Sequence, residues 1–400
     1  MRNKRKRNSV ASFVQYLDPS SNSAIPSSPR HNLSAYHPHL EISTLDTPSF
    51  SEYNSLITHC LVHPSQFPPN LVKYWRHRFS LFSLYSQGCL LDQQSWYSVT
   101  PECVAYRIAK RCATDGVVVD LFAGAGGNAI QFAMTCARVI AIEKDELKMR
   151  LAKWNAKVYG VDDRILFICG DSIQFLNKLI QWRSRSNENK SNKNENANPE
   201  QAELVKQNDD DDDDDDDDDQ KEANDDVWNG ITSADLENVQ VVFLSPPWGG
   251  VDYAQPLLST INTATTADQI NSSTNYYNPQ SSSLYHLSSI QPIHGNKLFK
   301  IVHSAFNTPN IAYYLPRNTN LASLSNLSDH VFEFEQQAKE KEFSPNSASQ
   351  MQESNQTLDN RIKVKVEYQY VNYGAKLSSL TAYYGRLAND WNDELDDWRR

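Results

Sequence analysis

The stretch "GVVVDLFAGAGGNAIQFAMTCARVIAIEKDELKMRLAKWNAKVYGVDDRILFICGDSIQFL" (116–176) decides the fold, because short apolar runs alternate along it with segments of helical periodicity. This pattern predicts strands at 117–121, 138–142 and 165–169, and helices from about Asn128 and over 146–159. Successive strand–helix units of this kind form a parallel, doubly wound sheet with right-handed crossovers. The predicted fold class is therefore α/β.

A glycine-rich turn, "DLFAGAGGN" (120–128), joins the first predicted strand to its helix. Asp120 ends the strand, and Gly124 lies where the backbone must come close to a ligand. Glu143 ends the next strand, at the place where an acidic side chain can accept hydrogen bonds from both hydroxyls of a ribose. The turn therefore predicts a site for a nucleoside-containing ligand.

Two ligand classes fit this turn. The pattern GxGxxA in Gly124, Gly126 and Ala129, with an acidic residue about 20 positions further on, is typical of dinucleotide sites. S-adenosylmethionine is the other candidate. It is favoured by Asp171 in "CGDS" (169–172), since an acidic residue at the end of the third strand commonly marks the adenine amine of that cofactor. The alternative for Asp171 is a helix N-cap.

The hexapeptide "SPPWGG" (245–250) follows the apolar strand predicted at 239–244. Two successive prolines end ladder pairing, because neither has an N–H to donate and both have a fixed φ. The result is a rigid turn at the carboxyl end of a strand, where ligands bind in open α/β sheets. Amino-methyltransferases need such a turn. A proline carbonyl and the preceding polar side chain accept hydrogen bonds from an exocyclic amine while the aromatic ring stacks on the base, so catalysis is mainly positioning.

Two helices are predicted before the sheet. Aromatic and apolar residues recur at helical spacing in "NLVKYWRHRFSLFSLYSQG" (70–88), and Gly88 ends the helix. The opposite face of this helix carries a basic stripe, which is either solvated or part of a binding surface: Lys73, Arg76 and His77. In "SVTPECVAYRIAKR" (98–111), Thr100 is the predicted N-cap and Pro101 the first helical residue.

The charge of the 400-residue chain is concentrated in one place. The net charge is −11, and removing the eleven consecutive aspartates of 209–219 from the count would leave zero. The remainder is neutral enough to bind an anionic partner. The six cysteines include no CxxC pair, so neither a metal site nor a disulfide framework is predicted. No apolar stretch has transmembrane length, so no membrane association is predicted, and "MRNKRKRN" (1–8) is either a nuclear localisation patch or a solvated basic tail.

The chain resembles the trimethylguanosine synthases, which hypermethylate RNA caps. The resemblance rests on "KYWRHRFSLFS", "SVTPE", "GAGGN", "VYGVDDRILFICGD", "VVFLSPPWGG.DYA", "YYLPRN" and "LTAYYG", in that order. Generic amino-methyltransferases carry Asp or Asn before the prolines, so Ser245 favours this family. The resemblance implies a class I S-adenosylmethionine-dependent methyltransferase, with a Rossmann-like doubly wound sheet and a small N-terminal helical extension. It also implies two successive methylations of N2 of a 7-methylguanosine cap, giving the 2,2,7-trimethylguanosine cap of small nuclear and small nucleolar RNAs.

The resemblance also implies roles for individual residues. Trp248 would stack on the 7-methylguanine, while Ser245 and Pro246 would hold its N2 amine. The cap phosphates would be met by Lys73, Arg317 and Asn318. The S-adenosylmethionine pocket would be lined by Phe82, Thr100, Asp120, Gly124, Glu143 and Asp171.

The composition along the chain and the predicted elements give a domain organisation, and the resemblance implies the partners. We expect a disordered tail at 1–55, the helical extension at 56–115, the methyltransferase domain at 116–387 with low-complexity insertions at about 183–230, 256–284 and 338–360, and a C-terminal tail at 388–400. Further strands are expected at 310–315, 362–371 and 377–384, and "HVFEF" (330–334) is an alternative part of the penultimate strand. The expected protein is a nuclear and nucleolar monomer, with the cytoplasm as a second location, that binds capped RNA and ribonucleoprotein proteins.

Two other functions remain open at this point. One is an amino-methyltransferase acting on adenine or on a glutamine amide. The other is a cap-binding protein that has lost catalysis, against which the intact turn at 120–127, Glu143 and Asp171 argue.

Overall fold

A computed structural model describes residues 47–195, 226–228, 230–249, 284–342, 364–371 and 374–389. Among these residues, five α-helices precede the sheet: α1 (Thr47–Ile57), α2 (Val72–Arg76), α3 (Arg78–Leu81), α4 (Ser95–Ser98) and α5 (Glu102–Arg111). The alternating region contains β1 (Thr114–Asp120), α6 (Gly127–Thr135), β2 (Cys136–Glu143), α7 (Glu146–Val158), β3 (Ile165–Cys169) and α8 (Ser172–Glu195). Next come β4 (Asp226–Trp228), β5 (Ile231–Thr232), α9 (Ser233–Glu237) and β6 (Val239–Leu244). The described chain ends with α10 (Gly295–Phe306), β7 (Ile311–Pro316), α11 (Leu321–Glu342), β8 (Lys365–Val371) and β9 (Lys376–Tyr383).

Seven strands form one sheet in the order β3-β2-β1-β6-β7-β9-β8, and β4 and β5 form a separate antiparallel pair. Strands β3, β2, β1, β6 and β7 run parallel, whereas β9 runs antiparallel to both β7 and β8. The predicted α/β fold is confirmed. The strands expected at 165–169 and 239–244 have the predicted bounds, and the other predicted strands differ by a few residues at their ends.

Two apolar layers cover the two faces of the sheet. One contains the N-terminal helices with α6 and α7, and its largest buried side chains include Trp96 and Phe132. The other contains α8, α10 and α11, with Phe175 and Phe299 buried in it. Helices on both faces are the reason why the parallel strands are apolar almost throughout.

The prediction of a single helix over 70–88 is wrong. The structure has two short helices, α2 and α3, separated at His77, and the backbone turns extended at Phe82 with φ −138° and ψ 114°. A single 3₁₀ turn follows over Tyr85–Gln87 before Gly88, whose φ is 113°. The aromatic spacing serves a compact cluster instead of a helical stripe, since Trp75 and Tyr85 meet edge to face with centroids 5.8 Å apart.

Three other expectations need correction. Thr100 does not cap α5, because Pro101 is the N-cap and the Thr100 hydroxyl accepts a hydrogen bond from Asn128 instead. The segment 330–334 lies inside α11, with Val331 fully buried, so it is not part of a strand. Helix α1 begins at Thr47, inside the tail expected to end at 55.

Much of the sequence expected to form tails and insertions lies outside the described residues. This holds for 1–46 and 390–400, and for most of each insertion: 196–225, 250–283 and 343–363. Helix α8 extends to Glu195 and the hairpin strand β4 begins at Asp226, so the first insertion is narrower than expected. In the described part of the chain, no helix is long and apolar enough to cross a membrane.

Short backbone hydrogen bonds hold the carboxyl ends of neighbouring strands together. The Leu121 N–H donates to Phe243 at 3.3 Å, the Ala123 N–H to Ile142 at 2.9 Å, and the Gly170 N–H to Glu143 at 3.0 Å. The segments that leave β1, β2, β3 and β6 are therefore fixed relative to one another at one edge of the sheet.

The N-terminal helices are joined to this edge through Asn155 of α7, whose side chain is fully buried. Its Nδ2 donates to the carbonyls of Leu90 and Ala125, both at 3.0 Å, and its Oδ1 accepts from the Leu90 N–H at 2.8 Å. Ala125 belongs to the glycine-rich turn and Leu90 to the N-terminal extension. One amide therefore sets their relative position.

We expect Asn155→Ala to lower the free energy of unfolding by about 3 kcal/mol, because buried backbone groups of Leu90 and Ala125 lose their partner and each unsatisfied group costs about 1–3 kcal/mol. Urea denaturation followed by circular dichroism measures the change. Asn70→Ala, at an exposed position in the same extension, is the matched control and should change the value by less than about 0.5 kcal/mol. Equal effects of the two substitutions would contradict the role given to Asn155.

Candidate active site

The carboxyl ends of β1, β2, β3, β6 and β7 bring most of the expected site residues to one edge of the sheet. The residues at or just after these strand ends are Asp120 and Gly124, Glu143, Asp171, Ser245 to Trp248, and Arg317 with Asn318. Because five neighbouring strands contribute, the site is a row of loops along one edge. This is where an open α/β sheet binds its ligands.

The glycine-rich turn takes backbone conformations that a side chain would oppose. Gly124 has φ +54° and Gly126 has φ +91°. A Cβ on Gly126 would also lie 3.1 Å from the Ala152 Cα of α7. The Gly124 N–H donates to the Glu143 carboxylate at 2.9 Å, which ties the turn to the end of β2.

Asp120 is a buried acidic residue, and only one of its two carboxyl oxygens accepts a hydrogen bond within the described residues. Its Oδ1 accepts from the Phe122 N–H at 3.2 Å, and its Oδ2 has no hydrogen-bond partner within the described residues. Burial raises the pKa of the Asp120 carboxyl to about 7; the Phe122 N–H opposes this rise and the Glu143 carboxylate adds to it. An unpaired buried oxygen is costly, so its presence at a strand end fits a site whose donor arrives with a ligand.

Glu143 and Asp171 both accept backbone hydrogen bonds that fix their carboxylates. Glu143 Oε1 accepts from the Asp145 N–H at 2.9 Å, in addition to its bond with the turn. Asp171 Oδ1 accepts from the N–H groups at the start of α8, those of Ile173 at 2.9 Å and Gln174 at 3.1 Å. The helix-capping alternative for Asp171 is therefore present in the structure, and it uses one carboxylate oxygen.

Trp228, in the β4–β5 hairpin, lies against Gly170, which precedes Asp171, and was not expected there. A Cβ on Gly170 would lie 3.4 Å from the indole Cζ2 of Trp228. The indole stacks on Phe175 of α8, with centroids 4.9 Å apart and an interplanar angle of 24°. This position could not be predicted from the sequence, because a single Trp after a long polar insertion belongs to no recognisable pattern.

Thr100 of the N-terminal extension contacts the start of α6. The Thr100 hydroxyl accepts from Asn128 Nδ2 at 2.9 Å, directly after the glycine-rich turn. Phe82 is buried against Tyr159, with ring centroids 6.0 Å apart, and its place in the site stays a prediction. Asn128 Oδ1 is a second buried polar atom that has no partner in the described part of the chain.

The SPPW turn carries an indole that is held in place by Tyr314. Trp248 Nε1 donates to the Tyr314 carbonyl at 3.2 Å, and the two rings lie 4.9 Å apart at 43°. The Ser245 hydroxyl donates to the Phe122 carbonyl at 3.3 Å, which leaves the lone pairs of Ser245 to accept from another donor. Pro246 is buried.

Tyr285 connects the SPPW turn to the loop after β7. Its hydroxyl donates to the Trp248 carbonyl at 3.3 Å, and its backbone N–H donates to the Asn318 carbonyl at 2.9 Å. Arg317 is exposed in the same loop and donates from Nη1 to the Leu377 carbonyl at 3.3 Å. Tyr285 thus links the SPPW turn to the backbone of Asn318, whereas the placement of Arg317 against the indole stays a prediction.

Lys73 is exposed on α2, and its Nζ lies 5.1 Å from the ring centroid of its neighbour Tyr74. The contacts described for Lys73 do not join it to Arg317 or to Trp248. The rings of Tyr74 and Trp75 nevertheless pack on the same apolar core as Trp248. The placement of Lys73 at a shared site therefore stays a prediction.

Two functional neighbours, Tyr314 and Tyr285, were missed from the sequence. Tyr314 lies within the quoted "YYLPRN", so the motif held a signal for it, whereas Tyr285 follows an insertion and carries none. Groups of three or more His, Cys, Asp or Glu that could hold a metal ion are not found where the structure describes the chain.

Comparisons with known proteins agree with this geometry. A family described as RNA cap guanine-N2 methyltransferase matches residues 115–265 and 274–386. A trimethylguanosine synthase of Schizosaccharomyces pombe is 29% identical over 276 residues, which are 68% of this chain and 81% of that protein. A trimethylguanosine synthase of Saccharomyces cerevisiae is 40% identical over 100 residues, 24% of this chain and 32% of that protein.

Among solved structures, a methyltransferase-like protein from Porphyromonas gingivalis W83 matches 86% of this chain and 59% of its own. It shares 8% sequence identity with a TM-score of 0.43, which is too low to support an inference about function. The family match spans more than half of the residues and includes the glycine-rich turn, the SPPW turn and the loop after β7. The chain therefore belongs to the RNA cap guanine-N2 methyltransferase family.

Proposed function

We propose that this enzyme methylates N2 of a 7-methylguanosine RNA cap twice in succession, giving a 2,2,7-trimethylguanosine cap, and that Trp248 and Ser245 position the base. The observation that carries the proposal is the indole of Trp248, held against Tyr314 directly after Pro246 and Pro247. A rigid aromatic ring at that place suits a flat, cationic base. The related proteins named trimethylguanosine synthase support the double methylation.

Trp248 would stack on the base. Its Nε1–H donates to the Tyr314 carbonyl and its ring contacts the Tyr314 ring, so the indole does not have to reorient when the base arrives. The 7-methyl group places positive charge on the guanine, and a cation over an indole gains about 2 kcal/mol at a desolvated site. The ring therefore selects a methylated base over a neutral one.

Ser245 and the Pro246 carbonyl would orient the N2 amine. Because the Ser245 hydroxyl donates to Phe122, it can only accept from a further partner, and the N2 amine is a donor. Two acceptors fix both N2 hydrogens and direct the nitrogen lone pair toward the methyl donor, which accelerates transfer by positioning. The methylated aryl amine is acidic, so it loses its proton without a strong base.

S-adenosylmethionine, when bound, supplies the methyl group. Asp120 would pair with its ammonium through the unpartnered Oδ2, Glu143 would accept from the ribose hydroxyls, and Asp171 would accept from the adenine amine through the oxygen that does not cap α8. Gly124, Thr100 and Phe82 would line the same pocket. The buried unpaired atom on Asp120 is the structural feature that fits this ligand.

The cap phosphates would be met by Lys73 and Arg317, with Asn318 beside them. A charge-assisted hydrogen bond to a phosphate is about twice as strong as a neutral one. The natural substrates would be small nuclear and small nucleolar RNAs in the nucleus, with the protein acting as a monomer near ribonucleoprotein proteins. The basic start of the chain, 1–8, is consistent with a nuclear location.

Transfer of labelled methyl groups to 7-methylguanosine-capped RNA, with analysis of the product, tests the proposal. We expect Trp248→Ala to lower kcat/KM at least about a hundredfold, because stacking is worth about 1–3 kcal/mol and orientation of N2 is lost with it. Trp248→Phe should keep part of the activity. Tyr370→Ala, at an exposed aromatic position on β8, is the matched control and should behave as the wild type.

The affinity for S-adenosylmethionine should stay unchanged in Trp248→Ala, since the ring serves the base. Wild-type turnover by Trp248→Ala would contradict the proposed site. Label found on an adenine oligonucleotide or on a glutamine peptide, and not on the cap, would point to a generic amino-methyltransferase instead.

The raised pKa of Asp120 gives a prediction about pH. Below about 7 the carboxyl of the ligand-free protein is mostly protonated, so pairing with the ligand's ammonium first requires loss of a proton. We therefore expect S-adenosylmethionine to bind about tenfold more tightly at pH 7 than at pH 5.5, as measured by calorimetry. In Asp120→Asn the affinity should be weaker and nearly flat over this range. A wild-type affinity that does not depend on pH would contradict the role of Asp120.

A further inference from the structure

The N-terminal extension carries a charge opposite to that of the whole chain. From Tyr53 to Leu91 the sequence contains no Asp and no Glu, although the net charge of the chain is −11. The same stretch holds three cations, Lys73, Arg76 and Arg78, together with three histidines. A local region of one sign attracts a partner of the opposite sign whatever the total charge is.

The break between α2 and α3 presents part of this charge to solvent. Arg76 ends α2, His77 lies at the break, and both side chains are exposed. Phe79 follows on α3 with 48% of its surface exposed. Together, Arg76, His77 and Phe79 form what we call the α2–α3 surface.

The ring of Phe79 is held in place despite its exposure. The Arg78 guanidinium lies 4.5 Å from the ring centroid of Phe79 and 4.5 Å from that of Trp75. The edge of Phe79 meets Tyr85 at 89°, with centroids 6.3 Å apart. One side of the ring is therefore supported by its neighbours while the rest is open, which is the arrangement of a stacking platform for a nucleic-acid base.

The α2–α3 surface lies between two residues of the proposed active site. Lys73 precedes it on α2, and Arg76 is one helical turn further, a rise of about 4.5 Å. Phe82 follows three residues after Phe79, which places their Cα atoms within about 11 Å of each other. The surface is therefore within reach of a chain that leaves the cap phosphates near Lys73.

We propose that the α2–α3 surface binds the nucleotides that follow the cap, with a base stacked on Phe79 and phosphates near Arg76 and His77. This inference rests on the proposed function. Single-stranded RNA offers bases and phosphates in alternation, which matches an open ring flanked by cations. A protein partner would need a larger apolar area than the one ring that this surface exposes.

The experiment compares two substrates, a 7-methylguanosine cap dinucleotide and a capped RNA of about ten nucleotides. For the wild type we expect kcat/KM to be at least about tenfold higher on the capped RNA, since the surface contributes only when nucleotides follow the cap. Phe79→Ala should lose about five- to tenfold on the capped RNA and leave the dinucleotide unchanged, while Phe79→Tyr should restore the preference. Arg76→Ala with His77→Ala should give a similar loss and a shallower salt dependence on the RNA alone.

Lys297→Ala with Lys300→Ala, two exposed cations on α10, is the matched control and should affect neither substrate. A loss of the same size on both substrates would show a purely structural role for Phe79 and overturn the proposal. Equal wild-type kcat/KM on the two substrates would overturn it as well. If a polyaspartate peptide inhibited methyl transfer while kcat/KM did not depend on RNA length, the α2–α3 surface would be assigned to an acidic protein partner instead.

Binding of fluorescent capped RNA, followed by anisotropy, separates failure of this inference from failure of the proposed function. If methyl transfer to caps were absent altogether, the proposed function would fail. The anisotropy measurement would still show whether the α2–α3 surface binds RNA. Tighter binding by the wild type than by Phe79→Ala supports it, and equal binding overturns it.

Discussion

The buried amide of Asn155 is the constraint on which the arrangement of the site depends. It joins α7 to the glycine-rich turn through Ala125 and to the N-terminal extension through Leu90. The two parts are separate in sequence, and each carries residues of the proposed site. Thr100 and Phe82 belong to the extension, and Gly124 belongs to the turn. The Asn155 side chain is fully buried and makes all three hydrogen bonds to protein groups, so its position is well determined.

The same edge of the sheet divides the chemistry between neighbouring strands. The ends of β1, β2 and β3 hold carboxylates that suit the nucleoside and amino-acid parts of the methyl donor. The ends of β6 and β7 hold the indole, the serine and the cationic loop that suit the cap. Because Leu121 bonds to Phe243 and Ser245 bonds to Phe122, the two halves are connected at the point where methyl transfer would occur. In the proposed function, positioning and not an activated nucleophile would be the main contribution of this fold to the reaction.

The strands and the strand-end residues could be predicted from the sequence, because burial on both faces leaves continuous apolar runs with polar residues directly after them. The helix expected at 70–88 could not be, since aromatic residues spaced for a helical stripe pack instead around Trp75, Tyr85 and Trp96 in short turns. The contacts of Asn155 and Tyr285 could not be predicted from the sequence either. Their partners lie 30 or more residues away, and nothing in the local pattern distinguishes such an Asn or Tyr from a surface residue.

The central claim is that Trp248 recognises a guanine made cationic by its 7-methyl group and that N2 is then the methyl acceptor. The most direct test measures kcat/KM for paired RNA caps that differ only in the 7-methyl group. A cation–π contribution of about 2 kcal/mol corresponds to roughly 30-fold, and the stronger N2 hydrogen bonds of the cationic base to Ser245 and the Pro246 carbonyl add to it. We expect the 7-methylated cap to be preferred by more than about 30-fold. A ratio near one would contradict the account.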